Sequence, residues 1–142
     1  MKFTYTFRLS SSSNYINLYK NLSGVTSVKI NSFRYTTQSA GTLYALITVS
    51  DFNNKIVLDG NKIVQYTKNI PFSDLNQTII NYENVNDFPD VQKEDIAKIA
   101  LSSFNLDILF GQSSGDLIFS PDVSPSNPII IEIEFEGSNI LS

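Results

Sequence analysis

Apolar and polar residues alternate with a period of two in segment after segment of this chain, and that period leaves few folds open. Lys2–Leu9 sets Phe3, Tyr5, Phe7 and Leu9 against Lys2, Thr4, Thr6 and Arg8. Ile129–Glu136 sets Ile131, Ile133 and Phe135 against Glu132, Glu134 and Glu136. Successive side chains of an extended strand point to opposite faces, so each segment reads as a strand with one face buried. Thr42–Ser50, with Leu43, Tyr44, Leu46, Ile47 and Val49, reads as a strand buried on both faces over part of its length.

Between these segments the same pattern predicts strands over Val25–Thr37, Lys55–Leu58, Lys62–Thr67, Thr78–Tyr82, Phe104–Phe110 and Leu117–Ser120, and a short one over Tyr15–Tyr19. Turn chemistry separates them: Ser10–Asn14, Asn21–Gly24, Asp51–Asn54, Asp59–Asn61, Pro71 with Asp74, Gly111–Gly115 and the proline-containing Asp122–Pro128. Residues from Gly137 onward read as a loose tail. One helix is expected, starting at Pro89-Asp90, with Asp90 as N-cap and Val91, Ile96, Ile99 and Ala100 near helical spacing through Leu101. Eight to ten strands without a βαβ rhythm predict an all-β, two-sheet antiparallel sandwich. The strand count and loop lengths favour jelly-roll topology, with one short helix and a single domain over residues 1–142.

The 142 residues include no histidine and no cysteine. That removes Ser–His triads, Cys–His pairs and the usual zinc ligand sets, because His and Cys supply the general base, the thiolate and the metal donors. No disulfide can form. No window approaches 18 consecutive apolar residues, so no membrane-spanning helix is expected, and the alternating first residues lack a signal peptide's apolar run. The sequons at Asn21 and Asn76 are what an Asn-, Ser- and Thr-rich chain produces by chance.

Charged residues make up only 17% of the chain, against about 25% in an ordinary globular protein. They are unevenly placed. Residues 1–70 hold eight Lys/Arg and two acids, whereas residues 71–142 hold two Lys and twelve acids. The basic residues are scattered singly, without the cluster that nucleic-acid binding needs. In a jelly roll the first and last core strands lie side by side, so Lys2–Leu9 is expected beside Ile129–Glu136. That pairing sets Lys2 and Arg8 against Glu132, Glu134 and Glu136.

Those glutamates are the most crowded acids in the chain. Their spacing of about 7 Å along one strand suits a glycosidase pair geometrically. A charged outer stripe is also the ordinary dress of an exposed strand, and we read Glu132, Glu134 and Glu136 as candidate subunit contacts rather than catalysts. Asp51–Asn54, Asp59–Asn61, Asp87 and Asp90 lack the repeated acidic spacing of a calcium loop. Gly111-Gln-Ser-Ser-Gly115 precedes a strand, so no helix N-terminus follows to hold a phosphate. Tyr5, Tyr15, Tyr19, Tyr35, Tyr44, Tyr66 and Tyr82 would give a sugar-stacking platform if several were coplanar and exposed. The residues point to no cofactor, no metal and no enzymatic activity.

Two stretches carry a resemblance. One is Val25-Thr-Ser-Val-Lys-Ile-Asn-Ser-Phe-Arg-Tyr-Thr-Thr followed by Leu43-Tyr-Ala-Leu-Ile-Thr-Val-Ser. The other is Phe104-Asn-Leu-Asp-Ile-Leu-Phe-Gly, then Gly115-Asp-Leu-Ile-Phe, then Ile129-Ile-Ile-Glu-Ile-Glu-Phe-Glu. The second resembles the closing strands of small single-jelly-roll virion proteins, the penton and minor capsid proteins of virophages, polinton-like viruses and large DNA viruses. The chain is short for a penton protein, so an inserted outer domain is not expected. The resemblance implies a structural virion protein, made inside a host cell and placed in the capsid. Its partners would be copies of itself, as a pentamer or trimer, and a major capsid protein. It carries over no catalytic residue. The alternative function is a carbohydrate-binding β-sandwich module.

Overall fold

In the computed structural model the strands form where the period-two segments lie. It describes residues 1–37, 41–53, 55–59, 62–72, 79–93, 99–112, 115–119, 122–137 and 139–141. In chain order the strands are β1 (Lys2–Leu9), β2 (Ser13–Val25), β3 (Ser27–Thr36), β4 (Thr42–Val49), β5 (Lys55–Asp59), β6 (Lys62–Tyr66) and β7 (Lys68–Pro71). They continue with β8 (Ile79–Glu83), β9 (Val91–Gln92), β10 (Ile99–Gln112), β11 (Leu117–Ile118), β12 (Ile129–Glu136) and β13 (Asn139–Leu141).

The first sheet runs β1-β12-β3-β8, with β9 also paired to β3. The second runs β13-β2-β10-β4-β7, with β11 beside β10, and β5 and β6 form a separate hairpin. Set aside that hairpin and the short β9, β11 and β13. The eight strands that remain, numbered in order, give 1-8-3-6 in one sheet and 2-7-4-5 in the other. That is the jelly roll, two Greek keys wrapped into a sandwich. β1 and β12 pair antiparallel over their full lengths, from Lys2 opposite Glu136 to Leu9 opposite Ile129.

The core lies between the sheets, where the inward rows meet. Ile131, Ile133 and Phe135 of β12, Phe104, Leu106 and Ile108 of β10, and Val28, Ile30, Phe33 and Tyr35 of β3 are buried. The ring of Phe104 meets Phe135 edge-on at 5.5 Å, and Tyr35 meets Phe110 at 5.1 Å. Leu46 and Val49 are buried as the pattern predicts, and Ala45, Leu46 and Ile47 of β4 are buried consecutively, as a strand covered on both faces requires. Phe3 and Phe7 face inward but are only partly buried, because β1 is an edge strand.

Four expectations change. Among the described residues there is no helix: Val91–Gln92 and Ile99–Leu101 are strand, and residues 94–98 of the expected helix lie outside the described residues. Asp90 is not an N-cap; its Oδ2 accepts a hydrogen bond from the Ile30 backbone N–H at 2.7 Å. Pairing of Val91 with Val28 and of Ile99 with Val25 satisfies backbone groups that a short helix would have left open at its ends. Second, Asn21–Gly24 does not end β2. The strand continues through it with register shifts opposite β10, and Gly24 takes up the local turn at φ 61°. Third, Gly137 and residues 139–141 are not loose. Gly137 is buried and donates its N–H to the Met1 carbonyl, and β13 crosses to the second sheet beside Asn21–Ser23. Fourth, Gly111 belongs to β10 opposite Tyr44, leaving the turn to Gly115 at φ 95°.

Candidate subunit-contact surface

The three glutamates of β12 lie on the outer face of the first sheet, as their spacing requires, but β12 is an interior strand. Glu136 is opposite Lys2 and Ser27, Glu134 is opposite Thr4 and Lys29, and Glu132 is opposite Thr6 and Ser32. Lys2 reaches diagonally to Glu134, Nζ to Oε2 3.9 Å. The Asn31 side-chain amide donates to Glu132 Oε2 at 3.1 Å. Neighbouring strands half-bury Glu132 and Glu134, and of the three Glu136 alone is exposed. The stripe is therefore largely answered within the sheet. Arg8 takes a different partner, donating from Nη2 to the Pro125 carbonyl at 2.7 Å.

Beside the stripe, β3 carries a bulge. Its inward residues are Val28, Ile30, Phe33 and Tyr35, so the period slips by one at Asn31–Ser32. The register with β12 shifts at the same point, between Glu132 and Ile133. An extra residue turns both Asn31 and Ser32 outward. The signal was in the sequence, since apolar residues at 28, 30, 33 and 35 cannot share one face of a regular strand. With Lys29, Glu83, Asn84, Val85 and Glu132 these residues line a polar, open depression of about 420 Å³.

The edge of the sheet breaks at the same level. β8 pairs with β3 from Ser32 to Thr36 and β9 pairs at Ser27 and Val28, so Asn84–Pro89 leaves the sheet between them. Both ends of this excursion are fastened. Asn84 N–H donates to the Asn31 carbonyl at 2.8 Å and Asp90 N–H to the Val28 carbonyl at 2.9 Å. Inside it, Asn86 N–H donates to Asn84 Oδ1 at 3.0 Å, an Asx turn. The Asp90 carboxylate also meets Lys68 Nζ of β7 at 2.9 Å, and that ammonium lies over the Tyr82 ring of β8 at 5.5 Å. Burial alone would lower the Lys68 pKa, but its hydrogen bonds to Asp90 and Tyr82 leave it raised above the ordinary value. The knob so held presents Val85 at 90% exposure and Phe88 at 79%.

The Lys68–Tyr82 contact puts β7 and β8 on one lateral edge of the sandwich, and the sheet orders then put β1 and β2 on the other, with β13 covering β2 at Asn21–Ser23. On that second edge Phe3, Tyr5 and Phe7 of β1 and Ile16 and Leu18 of β2 are only partly buried. Tyr5 stacks on Phe7 with ring centres 6.0 Å apart, and burial pushes its phenol pKa up. Other exposed apolar residues are Ile56 and Ile63, on one face of the β5–β6 hairpin, and Ile118 and Phe119 around β11.

The remaining sequence candidates are dispersed. Tyr35 is buried, Tyr5, Tyr44, Tyr66 and Tyr82 are half-buried, and the Tyr19 side chain lies outside the described residues. Tyr15 is the one tyrosine classed as exposed among those described, so they form no stacking platform. Asp90 is committed to Lys68 and Ile30, Asp51 occupies a turn at φ 71°, and Asn54, Gly60 and Asn61 lie outside the described residues. Among the described residues no three acids converge to hold a metal ion. No protein-family model matches the sequence, and no curated protein matches it.

Proposed function

We propose that this chain is a structural virion protein, a penton or minor capsid component that works by packing against copies of itself and a major capsid protein. The observation that carries this is the distribution of apolar surface on a jelly roll. Val85, Phe88, Ile56, Ile63, Ile118 and Phe119 stand exposed in loops, a hairpin and the short β11, outside the buried core of the sandwich. Exposed apolar side chains grouped on several sides of a small domain are surface that association would cover. The low charge content supports the same reading, because charged residues are depleted where interfaces form. The sequence resemblance and the jelly roll agree, although that fold also serves lectins. Glu136, exposed beside Lys2, and the flanking Glu132 and Glu134 would then form a charged rim of a contact.

The polar depression at the β3 bulge supports a second reading, a carbohydrate-binding module. Its amide and carboxylate groups suit sugar hydroxyls, but among the described residues no aromatic ring lines it. Light scattering on the purified chain separates the two. A trimer, a pentamer or a larger closed assembly is expected. A monomer at every concentration that binds glycans on an array would overturn the capsid reading.

A further inference from the structure

We draw no further inference here: the strongest candidate, the polar depression at the β3 bulge where Asn31 Oδ1 is buried without a hydrogen-bond partner, belongs to the site already described, and Lys29 and Arg34 beside Glu83 and Glu132 leave no excess charge that would name its occupant.

Discussion

Removing the carboxylate of Asp90 should loosen the lateral edge that carries the knob. Asp90 is 5% exposed in its side chain and holds two donors, the Ile30 N–H at 2.7 Å and Lys68 Nζ at 2.9 Å. In Asp90→Ala the Ile30 N–H loses its acceptor in a partly buried setting, a cost of about 1–3 kcal/mol. Lys68 loses its counter-ion, but its side chain is 23% exposed and can hydrate, so that part costs only about 1 kcal/mol. The sum is about 2–4 kcal/mol. Asp90→Asn keeps an oxygen for Ile30 and loses only the charge, so about 1 kcal/mol is expected. Urea unfolding reads both as lower midpoints at unchanged slope, since the surface exposed on unfolding does not change. The pH dependence has a definite sign. The folded-state Lys68 pKa is raised above its unfolded value of 10.5, so its contribution is complete below that pH and is lost as pH rises through the raised value. The difference between wild type and Lys68→Met should therefore hold steady near neutrality and shrink only in strong alkali. An Asp90→Ala variant as stable as wild type, or an Asp90→Asn variant as weak as Asp90→Ala, would refute the assignment of Asp90 as the clamp.

Phe135→Ala should cost about 3–5 kcal/mol in the same assay, because its ring is fully buried among Tyr5, Phe52 and Phe104. Phe7→Ala, on a partly buried edge strand, should cost clearly less, about 1.5–3 kcal/mol; equal losses would mean that the β1 edge is closed. Thr67→Val should cost about 2–3 kcal/mol, since its buried hydroxyl accepts from Val49 N–H at 2.8 Å and donates to the Phe52 carbonyl at 2.9 Å. Lys2→Ala should change stability by less than about 1 kcal/mol, because the Lys2 side chain is 55% exposed and its contact with Glu134 is long at 3.9 Å; a larger loss would show that the glutamate stripe depends on that single cation.

What the sequence by itself determined is whatever a local period can encode. The alternation in Lys2–Leu9 and Ile129–Glu136 gave the ends of β1 and β12 to the residue. The jelly roll that the strand count favoured placed the two side by side, and they pair so, although only Lys2 meets the glutamates and Arg8 does not. The unbroken apolar run Leu43–Ile47 within the expected Thr42–Ser50 made the doubly covered β4 legible. Glu132, Glu134 and Glu136 were legible as an outward stripe for the same reason, but how far that stripe is already answered was not. It depends on Asn31 and Lys2, brought in by two strands distant in sequence. The helix expected at Asp90 failed because helical and extended spacing are indistinguishable over so few apolar residues, and β3 offered backbone partners that no local pattern records. The same holds for β13, whose three residues, Asn139-Ile-Leu141, are too few to show a period and which pairs along β2 at Asn21–Ser23. The knob was the largest omission. Asn84-Val-Asn-Asp-Phe-Pro89 looks like an ordinary linker in sequence. Only the break between β8 and β9, opposite a bulge in β3, turns it into a fastened projection with two bare apolar side chains. Faces are a property of one strand and can be read along it, whereas edges are decided by which strands end beside one another, and that is settled only in three dimensions.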